Sequence, residues 1–297
     1  MSSSRKQQRA LTGIAASEAR ELRRVNASSL GERTSFAGHR AQLTEIACAA
    51  AAGRERPARI CVLGAGNCND LDLARLAEHY AEIHLVDLDL DALAGAAGRA
   101  EKQTRMHLRC HAPVDLSGIL GKLEAWRAMK VTPEELMACP DVASRGIAAA
   151  LPAPFDVVLS ACLLTQLQLS VLRVLTDQHP LFEAVRQIVN LIHFRSLMWL
   201  LAPGGRGIFV TDATSDSICG RTRLEQGAAD PLTLLSELAA EGQLFHAVEP
   251  GSIALTCSED PVLSRGLRVD PPFAAWLWHN GPARTFLTYG LVCERLA

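Results

Sequence analysis

A short glycine-containing segment constrains the fold of this chain more than any other feature of its sequence. The apolar run of residues 59–63 is followed by Gly64 and Gly66, and Asp87 comes 21 residues after Gly66, at the end of a second apolar run. Glycine permits a tight turn and lets the backbone approach a ligand closely. A strand, a glycine turn and a carboxylate at this spacing predict a site for a ribose-containing cofactor at the carboxyl edge of a parallel sheet.

Apolar strands alternate with helical segments along most of the chain, which predicts a doubly wound, Rossmann-like, mostly parallel α/β sheet of seven strands. The predicted strands are residues 59–63, 82–87, 106–110, 155–160, 207–211, 252–257 and 285–295. The intervening segments read as helices, including residues 116–128 and a short helix at 133–138. Residues 116–154 and 212–230 are longer or more polar than connections require, so we expect substrate contacts there.

Two helical patterns precede the first strand, which predicts two structural units. Residues 1–56 are expected to form an N-terminal helical flap, with roughly the first 12 residues disordered. Residues 57–297 are expected to form the Rossmann-like domain that carries the site.

Charge and cysteine content narrow the classes of function. The formal net charge is −2, whereas a nucleic-acid binder usually has a clearly basic surface. The nine cysteines show no Cys-x-x-Cys pair and no zinc spacing, which indicates buried free thiols, a reducing compartment and no metal site. With no signal peptide or membrane-spanning run in the sequence, we expect a cytoplasmic protein with a small-molecule substrate and no nucleic-acid or membrane partner. The oligomeric state stays open.

Four segments occur together in a characteristic order: residues 62–67, 85–89, 155–161 and 200–205. With them the chain resembles the class I S-adenosylmethionine-dependent methyltransferases over about residues 58–212, with a closing strand at 285–295. The resemblance implies that S-adenosylmethionine is the cofactor. Together with the helical flap and the near-neutral charge, the resemblance favours metal-independent methyl transfer to a nitrogen, oxygen or sulfur atom of a small molecule.

The resemblance further implies roles for individual residues. The cofactor-binding residues it indicates are Gly64, Ala65, Gly66, Asn67, Asp87, Leu88, Asp115, Ser160 and Ala161. In this scheme the glycine segment passes under the methionine part, Asp87 binds the ribose hydroxyls and Leu88 packs on adenine. Asp115 would bind the adenine amino group, although a helix N-cap is an equal alternative for it. Residues 160–161 would lie near the sulfonium.

Two departures from the family pattern keep other functions open. Val62 stands where the family usually has an acidic residue, and Cys68 stands at its third glycine. These departures favour, as an alternative, a catalytically inactive methyltransferase-like binding subunit. A nicotinamide-dependent oxidoreductase is a further alternative, since Asp87 suits it. Asn69 opposes it, because a dinucleotide motif has its third glycine at that position.

Catalytic residues are not expected to form a short motif. Methyl transfer from a sulfonium mainly requires alignment of donor and acceptor, and a base is needed only when the acceptor must lose a proton. The candidates are Gln166 at a helix start, His193 in an apolar helix, and His279 beside Trp276 and Trp278. The alternatives for them are helix-start polarity, a satisfied core histidine and ordinary tryptophan packing.

Overall fold

The computed structural model describes residues 13–53, 58–281 and 284–297, and its centre is an eight-stranded sheet. The strands are β1 Ala58–Leu63, β2 Tyr80–Val86, β3 Leu108–His111, β4 Phe155–Ala161, β5 Leu201–Ser215, β6 Leu267–Val269, β7 Ala274–His279 and β8 Thr285–Arg295. Their order is β3-β2-β1-β4-β5-β8-β6, and β7 also pairs with β8. The first five strands are parallel, whereas β8 is antiparallel to β5, β6 and β7. The predicted doubly wound, mostly parallel sheet is therefore confirmed, but it has eight strands rather than the predicted seven.

Helices precede the sheet and flank it. They are α1 Gly13–Ser29, α2 Ala37–Ala50, α3 Leu73–His79, α4 Leu90–Arg99, α5 Lys102–His107, α6 Leu123–Arg127, α7 Pro133–Ala149, α8 Leu163–Leu175, α9 Phe182–Leu200, α10 Asp216–Cys219, α11 Arg221–Gln226, α12 Pro231–Ala240, α13 Pro250–Glu259 and α14 Leu263–Gly266. Three 3₁₀ helices lie at Glu32–Thr34, Gly227–Ala229 and His246–Val248. None of the helices in the described ranges has the length and apolar character needed to cross a membrane.

The strand order places one crevice at the carboxyl edge of the sheet. From β1 the chain proceeds outward to β2 and β3, and then returns to add β4 and β5 on the other side. Every residue of β4 is buried, as expected for a parallel strand covered on both faces. Connections leave β1 and β4 toward opposite faces, which opens a crevice between their carboxyl ends. The glycine segment leaves β1 at this crevice.

The predicted strand at residues 252–257 is wrong, because this segment lies in α13. Pro250 occupies the first turn of α13, where its missing N–H costs nothing. Ile253 and Cys257 are buried one helical turn apart while the residues between them are more exposed. That spacing is helical, although the run of β-branched and apolar residues resembled a strand.

Several further elements differ from the sequence prediction. The predicted helix at residues 116–128 is helical only over Leu123–Arg127, and the preceding residues form turns. The short helix predicted at 133–138 extends to Ala149. The segment 212–230, which the sequence indicated as a polar connection, contains the end of β5 at Ser215 and then α10 and α11. Strands β6 and β7 were not predicted at all.

The N-terminal helices pack onto the α/β domain. In α2, Leu43 and Ala47 are fully buried, and the Tyr80 hydroxyl donates to the Ala47 carbonyl at 2.5 Å. In α1, Glu18 is buried and forms an ion pair with Arg173 of α8 at 2.7 Å. Both helices therefore contribute to the folded core. The predicted boundary between residues 56 and 57 and the predicted disorder of residues 1–12 concern residues outside the described ranges, so both remain predictions.

All nine cysteines are free thiols, and seven of them are buried. Cys110 is exposed and Cys219 is partly exposed, which differs from the prediction for those two positions. Burial raises the pKa of the Cys61, Cys68 and Cys162 thiols, so these three side chains behave as small apolar groups in the core.

Candidate cofactor site

Asp87 lies directly against residues 64–66, here called the glycine turn. Its Oδ2 accepts the backbone N–H of Gly66 at 2.8 Å, and its Oδ1 accepts that of Asp89 at 2.8 Å. The Gly64 and Ala65 N–H groups both donate to the carbonyl at the end of β2. Gly64 and Gly66 have φ values of +72° and +46°, which glycine adopts without strain. The proximity of Asp87 to the glycine turn, inferred from spacing alone, is thus present in the structure.

A cavity opens beside this contact, here called the glycine-turn cavity. It is lined by the glycine turn, the end of β2, the loop after β3, α8 and the underside of α1. The sequence-predicted residues that it brings together are Gly64, Asp87, Leu88, Asp115 and Gln166. Its volume is about 70 Å³, well below the roughly 300 Å³ at which small-molecule pockets begin. The remaining predicted residues, Ala65, Gly66, Asn67, Ser160 and Ala161, do not line it.

Two neighbours reduce the volume of the glycine-turn cavity. A Cβ atom added to Gly64 would lie 2.8 Å from Leu163 Cδ1, so the Leu163 side chain covers the turn. Leu22 and Asn26 of α1 form the roof. A carboxylate beside apolar walls suits the binding of a nucleoside. The cavity is too small for one as it stands, so Leu163 and α1 would have to move for a nucleoside to enter. The chemical character of the lining residues therefore fits the implied cofactor, whereas Leu22 and Asn26 of α1 restrict the volume of the cavity.

The end of α1 is held on the glycine turn by three asparagines. Asn67 Nδ2 donates to the Asn26 carbonyl at 2.5 Å and to Ser29 Oγ at 3.2 Å. Asn69 Nδ2 donates to the Ser29 carbonyl at 2.6 Å. Asn26 Nδ2 donates to Asp89 Oδ2 at 3.1 Å. We call these contacts the asparagine latch. The sequence did not predict this role, because no periodic pattern or motif indicates which distant residues an isolated asparagine will contact.

The two departures from the family pattern have clear structural positions. Val62 is 1% exposed and belongs to the core on one face of the sheet. Cys68 is also buried and has a φ of +51°, a conformation that costs free energy in a residue other than glycine. The carboxylate that anchors the glycine turn is that of Asp87. An acidic residue at position 62 is therefore not required for the observed turn geometry.

Asp115 organises the loop after β3. Its Oδ1 accepts the Ser117 N–H at 3.0 Å, the Ser117 hydroxyl at 2.6 Å and the Gly118 N–H at 3.2 Å. Its Oδ2 accepts the Leu120 N–H at 3.0 Å. Burial raises the pKa of Asp115, and these hydrogen bonds oppose the rise. The carboxylate therefore stabilises a turn in the cavity wall, and its contact with an adenine amino group remains a prediction.

Of the three catalytic candidates, Gln166 lies at the glycine-turn cavity. His193 is 2% exposed, and its Nε2 lies 3.0 Å from Ser160 Oγ inside the core. Burial lowers the pKa of His193 to about 4, so the ring is neutral at pH 7. His279 Nδ1 lies 3.1 Å from Thr285 Oγ1, where β7 and β8 pair. Neither histidine lines the glycine-turn cavity.

Comparisons with known proteins give structural likenesses only. No family model matches the chain, and no curated protein matches it. A SAM-dependent methyltransferase from Methanosarcina mazei is 12% identical with a TM-score of 0.44, covering 82% of this chain and 94% of that one. Magnesium protoporphyrin IX methyltransferase from Synechocystis, solved with bound SAH, is 12% identical with a TM-score of 0.42, covering 96% and 89%. An rRNA methylase from Streptococcus thermophilus is 10% identical with a TM-score of 0.40, covering 85% and 95%.

The chain has the Rossmann-like methyltransferase fold. Its own strand order and glycine turn carry this conclusion, and the structural likenesses, with TM-scores of 0.40 to 0.44, do not contribute to it. The prediction that excluded a nucleic-acid partner is wrong. The solved structures to which the chain is similar include an rRNA methylase, and a net charge near zero describes the whole chain rather than any one face of it.

Proposed function

We propose that this methyltransferase-fold chain binds S-adenosylmethionine in the glycine-turn cavity and transfers its methyl group. The observation that carries the proposal is the Asp87 carboxylate, fixed at 2.8 Å from the Gly66 N–H and lining the cavity. A carboxylate in this position can accept hydrogen bonds from both hydroxyls of a ribose. Leu88, Val114 and Leu116 line the same cavity and supply apolar surface for a base.

The chemistry required of the protein is modest. When bound, S-adenosylmethionine supplies a methyl group already activated by the positive sulfonium. The residues of this chain then hold the nucleoside, align the acceptor and exclude water, and alignment alone contributes up to ~7–11 kcal/mol to such reactions. Leu22 and Asn26 provide the water-excluding roof, and Gln166 is the polar side chain of α8 in the wall. A small-molecule acceptor and a cytoplasmic location both remain predictions from the sequence.

Isothermal titration with S-adenosylmethionine and with its demethylated product tests the proposal. We expect one site for each ligand with a micromolar Kd, and methyl transfer to at least one acceptor in a panel of amines, phenols, thiols and RNA. Binding without transfer to any acceptor would favour the inactive binding subunit. Binding of reduced nicotinamide cofactor in a fluorescence titration would favour the oxidoreductase, and failure of both sulfur ligands at millimolar concentration would contradict the proposal.

Opening of α1 is expected to control access to the glycine-turn cavity. Asn69→Ala removes one hydrogen bond of the asparagine latch, and such a bond contributes ~0.5–1.5 kcal/mol. We therefore expect the open state to become about twofold to thirteenfold more populated. Amide hydrogen exchange of Gly13–Ser29 should accelerate by this factor, and stopped-flow association of S-adenosylmethionine should accelerate with it.

The matched control for this prediction lies on the same helix. Arg24→Ala removes an ion pair with Glu21 that is exposed and does not touch the glycine turn, so exchange of α1 should change little. If saturating cofactor leaves the exchange of α1 unaltered, or if Asn69→Ala exchanges at the rate of the parent protein, the asparagine latch does not control access.

A further inference from the structure

A second cavity, of about 380 Å³, lies at the carboxyl end of β5 and is here called the β5 cavity. Helix α8 separates it from the glycine-turn cavity. Gln166 and Leu167 face the glycine-turn cavity, whereas Thr165, Gln168 and Leu169 line the β5 cavity. These positions lie on opposite faces of a helix. The volume is within the range of small-molecule pockets.

A buried carboxylate forms part of the wall of the β5 cavity. Asp212 is 9% exposed, and its Oδ1 accepts the Thr165 hydroxyl at 2.6 Å. Across the described ranges, no lysine, arginine or histidine nitrogen lies within ion-pairing distance of this carboxylate. Two other buried carboxylates have arginine partners, since Asp260 pairs with Arg195 at 2.6 Å and Glu18 pairs with Arg173 at 2.7 Å. A buried charge without a partner is costly. A cationic group placed beside Asp212 would therefore stabilise its ionised form.

The mouth of the β5 cavity is apolar. Leu169 and Leu172 of α8 are 50% and 41% exposed, and both line the opening. Phe182, Phe245 and Phe286 complete the apolar lining. Mostly apolar surface with a small number of polar groups is typical of pockets that bind small molecules.

Three described residues with basic side chains line the β5 cavity, and none of them forms an ion pair with Asp212. Arg186 forms an ion pair with Glu183 at 3.3 Å, and its guanidinium lies 5.6 Å from the centre of the Phe182 ring. Arg284 and His246 are exposed at the rim. The charges of Arg284 and His246 are screened by water, and the Arg186 side chain, which is 13% exposed, is paired with Glu183. Asp212 is therefore the buried charge of the described lining that has no ion-pair partner.

We propose that the β5 cavity binds a small molecule with an apolar body and a protonated amine, with Asp212 pairing with the amine. The pairing would supply the buried carboxylate with the cation that the described residues do not offer it. Because α8 separates the two cavities, this site does not depend on methyl transfer, and its test does not require S-adenosylmethionine.

Nuclear magnetic resonance titrations with three related probes test the proposal. They are 2-phenylethylamine, the uncharged 2-phenylethanol and the anionic 3-phenylpropionate. We expect the amine to bind with a millimolar Kd and the other two probes to bind about tenfold more weakly or worse. Asp212→Asn should weaken the amine by the same factor, while Ser217→Ala, at an exposed residue of the same lining, should leave its Kd within twofold.

Asp212→Asn keeps an oxygen that can accept the Thr165 hydroxyl, so the variant should remain folded, which near-ultraviolet circular dichroism will verify. Three results would overturn the proposal. They are equal affinity of the amine for the parent protein and Asp212→Asn, tighter binding of 3-phenylpropionate than of the amine, and no response to the amine at tens of millimolar.

Discussion

Asp87→Ala is expected to weaken S-adenosylmethionine binding at least about a hundredfold. The substitution removes the acceptors for the Gly66 and Asp89 N–H groups, and each buried donor left unsatisfied costs ~1–3 kcal/mol. It also removes the carboxylate proposed to bind the ribose hydroxyls, and hydrogen bonds to a charged group contribute ~1.5–3 kcal/mol each. A loss of about 3 kcal/mol already corresponds to a hundredfold change in Kd, which isothermal titration measures directly.

Asp72, which caps α3 away from the glycine-turn cavity, separates loss of affinity from loss of stability. Asp72 Oδ1 accepts the Ala74 and Arg75 N–H groups at the start of α3, and it does not line the glycine-turn cavity. Asp72→Ala should therefore destabilise the protein by ~1 kcal/mol through its lost cap while leaving the Kd for S-adenosylmethionine unchanged. If Asp87→Ala binds the cofactor within threefold of the parent protein, the ribose role of Asp87 is excluded and the proposed function loses its main support.

The elements that the sequence predicted well are those fixed by local pattern. The strand before Gly64, the glycine turn and Asp87 are set by apolar runs and spacing, and in the structure they meet within hydrogen-bonding distance. A parallel sheet brings the ends of successive strands to one edge, so spacing along the chain predicts proximity there. For this reason the core of the candidate site was accessible from sequence alone.

The features that escaped prediction depend on contacts between distant residues. The asparagine latch joins Asn26 to Asn67 across 41 positions, and neither residue belongs to a periodic pattern. The pairing of Ser160 with His193 spans 33 positions and turns the serine side chain into the core. Such contacts follow from how helices dock on the sheet, which hydrophobic periodicity does not determine. The apolar sequence around His193 indicated that this residue could be buried, but nothing in the sequence indicated that Ser160 would be its partner.

Local propensity also misled at the end of the chain. The segment around Ile253 reads as a strand by composition, yet Pro250 begins a helix there. Strand β7 follows two prolines, and for this reason it was not predicted. Trp276 and Trp278 nevertheless alternate inward, as a half-buried strand requires. Strand β7 is determined by its pairing with β8, a tertiary effect that overrides local preference.

Asp212→Asn is expected to stabilise the ligand-free protein at pH 8 by up to about 3 kcal/mol. Burial raises the pKa of Asp212 from 3.8 to about 6, against the lowering effects of Thr165 and Arg284. A raised carboxyl pKa means that the folded protein binds the proton more tightly than the unfolded chain. The associated stability is complete below pH 3.8 and is lost as the pH rises through 6. Asparagine mimics the protonated form, so the advantage of the variant should vanish near pH 4.

Chemical denaturation of both proteins between pH 4 and pH 8 measures this difference and cancels the titration of all other groups. Asp230→Asn is the matched control, because hydrogen bonds from Thr233 lower the pKa of that exposed capping carboxyl, and its substitution should destabilise at neutral pH. Since a bound amine would supply the missing cation, 2-phenylethylamine should stabilise the parent protein at pH 8 and have little effect on Asp212→Asn. A stability difference that stays constant from pH 4 to pH 8 would show that folding does not raise the pKa of Asp212. The physical basis for an amine site in the β5 cavity would then be absent.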